Sequence, residues 1–293
     1  MSPLRPKTLI PLIGQRARHS TTVSPASLIK STNIPAPHAG SIKILSLDRP
    51  SARNAISLQL LAELSKETKA LQGEGEHGPT RAMILASEVD SCFCAGADLK
   101  ERATFTKEQT QNFLTSLRQT LQDLEDLPIP TIAAIAGPAF GGGLELALPL
   151  DFRVLASTTT LALPETRLGI IPGAGGTYRL QRLIGTPRAR DLILTGRRVG
   201  GPEAYFLGLA DRLVEVTKEV EGKAREMVLE EAVRLAREIA EGAPLAGRAA
   251  KRAIREASWE AESRAYEEVV GTEDRDEALV AFREKRKPIF KGR

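Results

Sequence analysis

The sequence predicts an α/β body followed by an all-helical C-terminal part, and two observations carry that prediction. Between residues 41 and 183, short apolar strands alternate with amphipathic helices through glycine turns; beyond residue 223 the strands give way to long, densely charged helical periodicity. A chain of 293 residues with 42% hydrophobic content can hold one large domain with an appendage. No apolar run approaches the roughly 18 residues that a membrane span needs, so no membrane partner is expected.

Residues 20–40, rich in Ser, Thr, Pro and Ala, read as a linker, so the fold is expected to begin near Ser41. Residues 42–47 alternate as a strand, residues 48–54 turn, and Ser57 caps a helix with Leu60, Leu61, Leu64 and Leu71 on one face. Residues 81–87 form the next strand, residues 93–98 pass through a glycine turn, and residues 107–126 form an amphipathic helix stopped by Pro128 and Pro130. Residues 131–136 read as a buried strand, 137–141 as a turn, and 142–150 as a helix apolar nearly all round that Pro149 stops or kinks. Strands at 152–156 and 160–163 precede a loop, 170–177, that feeds a helix to Leu183. Strands thin out from about Pro187, and residues 223–241, 244–257, 260–270 and 274–286 carry helical periodicity to the end.

Composition removes several function classes. The two cysteines, Cys92 and Cys94, are spaced as C-x-C, which indicates neither a disulfide framework nor a zinc site; they read as reduced, buried residues. The three histidines, His19, His38 and His77, all precede the body's central motifs, which excludes a Ser-His-Asp or Cys-His enzyme and leaves no metal site. The net charge of +4 and pI of 9.1 suggest a nucleic-acid partner until the charge is located. Residues 1–47 hold Arg5, Lys7, Arg16, Arg18, Lys30 and Lys43 with no Asp or Glu, the composition of a mitochondrial transit peptide; cleavage after Arg18 would leave a nearly neutral chain.

Two segments carry the chemistry: Gly141-Gly142-Gly143-Leu144-Glu145 and Pro164-Glu165-Thr166. Each puts a carboxylate into apolar surroundings, and a buried Glu needs a reason. The glycine run is open to two readings, a tight strand-to-helix turn or a helix N-terminus whose free N–H groups bind an oxyanion. The same ambiguity attaches to Cys94-Ala95-Gly96-Ala97-Asp98. Neither glycine loop matches a P-loop or a dinucleotide fingerprint. With no histidine available, two carboxylates beside such loops are suited to acid/base work.

In this order, Arg49-Pro50 with Arg53-Asn54-Ala55, Phe93-Cys94-Ala95-Gly96-Ala97-Asp98-Leu99, Gly141 to Ala147 and Pro164-Glu165-Thr166 leading to Ile171-Pro172-Gly173-Ala174-Gly175-Gly176-Thr177 resemble the enoyl-CoA hydratase/isomerase, or crotonase, superfamily. The resemblance implies a spiral of repeated ββα units over residues 31–222 after a transit peptide and linker (1–30). It also implies a C-terminal helical oligomerisation region (223–293), and assembly as a homotrimer or dimer of trimers. By motif position it implies an acyl-CoA thioester substrate with no separate cofactor, coenzyme A being part of the substrate, an oxyanion hole from the amides of Ala97 and Gly142, and catalytic carboxylates at Glu145 and Glu165. Keeping both Glu residues favours hydration over double-bond isomerisation. The segments after Ala97 and Glu165 and the ending Ala281-Phe282-Arg283-Glu284-Lys285-Arg286-Lys287-Pro288 are most similar to mitochondrial methylglutaconyl-CoA hydratases of leucine breakdown, with a general short-chain enoyl-CoA hydratase as the alternative. That resemblance implies a location in the mitochondrial matrix. A substrate carboxylate would need a cation, for which Lys100 or Arg102 is the candidate. Ala95, Asp98 and Leu99 complete the expected substrate loop, and Arg53 and Lys285 are candidates for the CoA phosphates. RNA binding is not expected: at the positions of the first long helix where the RNA-binding relative spaces lysines, this chain has Leu58, Ala62 and Lys66, so one lysine of that set survives, and aromatic content is 4%.

Overall fold

In the computed structural model, residues 27–293 are described. Most of the expected transit segment lies outside them. The elements run β1 (Ile29–Pro35), β2 (Ser41–Leu47), α1 (Leu58–Gly73), β3 (Thr80–Ser87), α2 (Leu99–Arg102), α3 (Lys107–Glu125), β4 (Thr131–Ile135), β5 (Ala139–Phe140), α4 (Gly142–Ala147), β6 (Phe152–Ala156) and β7 (Thr160–Ala162). They continue with α5 (Gly176–Ile184), α6 (Thr186–Thr195), β8 (Val199–Gly200), α7 (Gly201–Leu207), β9 (Arg212–Val214), α8 (Ala224–Ala240), α9 (Pro244–Glu256), α10 (Trp259–Val270) and α11 (Glu273–Glu284).

Two layers of strand are built in step. The large sheet has the order β1-β2-β3-β4-β6-β9, parallel throughout except for β1. After each inner strand the chain crosses to a second, smaller layer before turning into a helix. In that layer Ile56 bridges Ala97, Cys94 bridges Ala139, and β5 pairs with β7, all parallel. Each turn therefore gives one strand to each layer and then a helix, the ββα spiral.

Alternation sorts the large sheet's side chains between two cores, as expected for a sheet covered on both faces. Leu45, Leu47, Met83 and Leu85 pack with Leu60 and Leu64 of α1 and Leu117 and Leu121 of α3. Ile42, Ile84, Ile132 and Val154 face the other way, onto Val228, Ala232, Leu235 and Ala236 of α8. The first helix of the charged C-terminal set is thus also part of the body's core. Two cations then fasten α9: buried Arg248 donates to the carbonyls of Gly75, Gly78 and Thr80, and half-buried Lys251 pairs with Asp151 at 2.6 Å.

Local signals explain most boundaries. Ser57 Oγ accepts from the Leu60 N–H at the start of α1, and Thr106 with Gln109 forms a capping box on α3. α4 stops at Ala147, two residues before Pro149. The linker expected over residues 20–40 is corrected by β1, which pairs antiparallel along β2. Its sequence, Ile-Lys-Ser-Thr-Asn-Ile-Pro, buries only Ile29 and sits at the sheet edge, so partner backbone rather than local hydrophobicity makes it a strand. The expected turn over 137–141 likewise contains the two-residue strand β5, which exists only through its neighbours.

Successive turns approach closely at Gly143, where a Cβ would lie 2.1 Å from the Cys94 carbonyl oxygen. Backbone on both sides leaves little room to relax. Gly143→Ala is expected to cost about 3 kcal/mol, a fall in Tm of roughly 6–12 °C by differential scanning calorimetry; an unchanged Tm would contradict this packing.

Candidate active site

The ends of three successive small-layer strands meet at one cavity of about 540 Å³, into which Ala97, Gly142 and Glu165 all open. They occupy equivalent places: Ala97 follows the bridge at Cys94, Gly142 follows β5, and Glu165 follows β7. The register that builds the layer therefore also builds the site. A larger depression of about 710 Å³ lies over α8 and β9, but its charged walls include Arg212, Arg234 and Glu231, which are already paired with one another or with Glu238.

Two backbone donors face this cavity. Hydrogen bonds from Ile56 to Gly96 and from Asp98 to Ile56 tie the chain on either side of Ala97, and leave the Ala97 N–H without a backbone acceptor among the described residues. Gly142 opens α4, so its N–H has no partner within the helix. The two amides lie together: a Cβ on Gly142 would be 3.6 Å from the Ala97 nitrogen. Gly141 makes the turn with φ 52° and ψ −124°, a conformation costly for any residue with a side chain. A Cβ there would also come within 3.0 Å of Glu165 Oε1.

The two carboxylates sit in unlike environments. Glu145 is 4% exposed, and its Oε1 accepts the N–H groups of Ala174 at 2.7 Å and Gly176 at 2.8 Å. Burial raises its pKa, while those two amides and the charges of Arg179 and Arg118 pull the other way. Glu165 is 7% exposed, and its Oε2 is buried with no hydrogen-bond partner among the described residues. Burial, with the charge of Glu145 adding to it, pushes Glu165 up to about 7. Of the pair, Glu165 is the one that keeps a proton near neutrality.

Of the residues expected at the site, Ala95, Ala97, Leu99, Arg102, Gly142, Glu145 and Glu165 line the cavity. Asp98, Lys100, Arg53 and Lys285 do not. Asp98 accepts from the N–H groups of Lys100 and Glu101 and pairs with Arg49 at 2.7 Å. Against its burial, those bonds hold its pKa below the usual carboxylate range, so Asp98 anchors the loop that presents the Ala97 amide. Arg53 contributes its carbonyl, which accepts the Ala95 N–H at 3.0 Å, while its side chain is exposed. Lys100 is exposed on α2, and Lys285 is exposed just after α11 with φ 55°.

Several residues that position the site were not among the expected site residues. Buried Asn54 donates to Ser87 and to the Phe93 carbonyl, locking the first turn of the spiral to the second. Arg179, buried, pairs with Glu125 at 2.6 Å and donates to the Ala174 carbonyl at 3.0 Å, clamping the loop that holds Glu145. Arg118 lines the cavity from α3 and donates to the Gly173 carbonyl at 2.6 Å. Their partners are distant in sequence.

A spiral fold with paired amides over two buried carboxylates defines a class of thioester enzymes, and the chain belongs to the enoyl-CoA hydratase/isomerase family, whose profile matches residues 38–293. It is 58% identical over 284 residues to an enoyl-CoA isomerase/hydratase of Zymoseptoria tritici, covering 94% of this chain and 92% of that one. It is 53% identical to methylglutaconyl-CoA hydratase 1, mitochondrial, of Pyricularia oryzae, covering 96% and 91%. Among solved structures, an enoyl-CoA hydratase from Bacillus anthracis superposes with a TM-score of 0.82 at 42% identity, covering 91% of this chain and all of that one.

The buried proton on Glu165 has a signature in stability. The folded protein keeps it up to about pH 7, whereas a carboxyl with the ordinary value of 4.5 releases it in the unfolded chain. Between those values the folded state binds the extra proton, so stability falls as pH rises, and above pH 7 the loss is complete at about 3 kcal/mol. Glu165→Gln is therefore expected to be more stable than the parent at pH 8, with the difference closing below about pH 4.5. Urea titrations at both pH values check it; an equal difference at both would contradict it.

Proposed function

We propose that the protein is a hydro-lyase that adds water across the double bond of an α,β-unsaturated acyl-CoA, acting on 3-methylglutaconyl-CoA to form 3-hydroxy-3-methylglutaryl-CoA. The observation that carries this reading is the convergence on one cavity of two amides without a backbone acceptor among the described residues and two unequal carboxylates. The thioester oxygen accepts from the Ala97 and Gly142 N–H groups, which stabilise the enolate charge that develops as water attacks, each worth on the order of 3 kcal/mol. Glu145, whose anion is stabilised by two amides, takes a proton from the water that adds to the β-carbon. Glu165 gives its proton to the α-carbon. One proton is received and one is given, so the pair returns to its starting state after a single proton exchange.

Names of the relatives support the substrate and the compartment: the Pyricularia protein and the human methylglutaconyl-CoA hydratase, 42% identical over 258 residues, are both called mitochondrial. The Arg-rich, acid-free N-terminus agrees with import into the matrix. Exposed Ile254, Trp259, Tyr266 and Phe282 on α9, α10 and α11 suit a homotrimer or dimer of trimers, in which Lys285 would reach the CoA of a neighbouring subunit.

Glu145→Gln and Glu165→Gln are each expected to lower kcat for hydration by about 10²–10⁴-fold, measured by loss of enoyl-thioester absorbance. In the parent protein kcat/KM for hydration should fall above about pH 7 as free Glu165 loses its proton, and that limb should vanish from the residual activity of Glu165→Gln. Retention of full activity by either variant would sink the assignment. A strong preference for crotonyl-CoA over 3-methylglutaconyl-CoA would instead make the protein a general short-chain hydratase.

A further inference from the structure

Two guanidinium groups line the cavity, Arg102 and Arg118, and neither has an ion-pair partner among the described residues. They differ in what they can reach. Arg102, on α2, lies over the Phe113 ring, 5.4 Å from its centre. Arg118, on α3, donates through Nε to the Gly173 carbonyl. The next residue, Ala174, donates its N–H to Glu145 Oε1. Arg118 is thus fastened one residue away from the amide that holds Glu145.

Water adds at the β-carbon beside Glu145, and a methylglutaconyl group carries its free carboxylate only two carbon–carbon bonds further on. That anion must sit close to the site's own carboxylates, where a like charge is costly unless a cation stands between them. Two cations act on Glu145, Arg179 and Arg118. Arg179 is buried and spent on Glu125 and the Ala174 carbonyl. Exposed Arg118 commits only Nε among the described residues, which leaves its two Nη groups in the fork arrangement that matches a carboxylate.

We propose that Arg118 reads the free carboxylate of the substrate through its Nη groups, and so sets a preference for enoyl-CoA esters bearing a carboxylate two bonds beyond the β-carbon. Arg102 then packs the acyl pocket through its contact with Phe113. This rests on the hydratase reading above.

The test compares kcat/KM for 3-methylglutaconyl-CoA and crotonyl-CoA in the parent protein and in Arg118→Met, Arg118→Lys and Arg102→Met. Arg118→Met is expected to lower the ratio of the two constants by about 10–100-fold. Arg118→Lys, which keeps the charge without the fork, should recover part of it, and Arg102→Met should lower it less than Arg118→Met does. If Arg118 served only to hold Gly173, its loss would displace Glu145 and slow both substrates alike, leaving the ratio unchanged. An unchanged ratio, a ratio that falls only in Arg102→Met, or a parent protein without preference for the carboxylated substrate would overturn the assignment. A parent protein that hydrates neither substrate would instead overturn the hydratase reading.

Discussion

Parallel pairing in the small strand layer sets Cys94 beside Ala139 and Phe140 beside Ala162. Carried two or three residues further, that register brings the Ala97 amide next to Gly142 and delivers Glu165 to the same opening. A slip of one residue would turn each of these groups to the opposite face. The absent side chain at Gly143 keeps the second and third turns close enough for the register to hold, because the Cys94 carbonyl occupies the space a Cβ would need.

On this frame, environment rather than residue type divides the work between two chemically identical side chains. Glu145 is given two amide donors by the loop at Ala174 and Gly176, a loop clamped from behind by Arg179 and Glu125. Glu165 receives no such donor on its buried Oε2 among the described residues. Burial raises both carboxyls; two loop amides and the charges of Arg179 and Arg118 oppose it at Glu145, whereas at Glu165 a single backbone amide opposes it and the charge on Glu145 adds to it. Of the two groups facing the ligand, Glu165, pushed up to about 7, is the one set to give a proton near neutral pH.

Much of this was legible in the sequence where the physics is local. The helices α1, α3 and α8 to α11 announce themselves through apolar spacing and through caps such as Ser57 and Thr106. Glu145 and Glu165 stand out because a carboxylate among apolar neighbours is expensive. What depends on distant partners stayed hidden. The edge strand β1 looks like linker because only Ile29 is buried, and β5 is too short to show a period. Asp98 belongs to the expected substrate loop and Arg53 to the expected CoA-phosphate contacts, yet the first anchors Arg49 and two amides while the second offers its carbonyl to Ala95. Arg118 looks like one more charge on an amphipathic helix until the fold brings Gly173 to it.

The most direct measurement of the central claim is the carbon-13 NMR shift of an acyl-CoA labelled at its thioester carbonyl, free and bound to the protein. Two backbone donors at Ala97 and Gly142 should polarise that carbonyl and move its resonance well downfield on binding, and replacing Gly142 by proline, which removes one donor, should reduce the displacement. A bound ligand whose carbonyl resonates where the free one does would contradict the account.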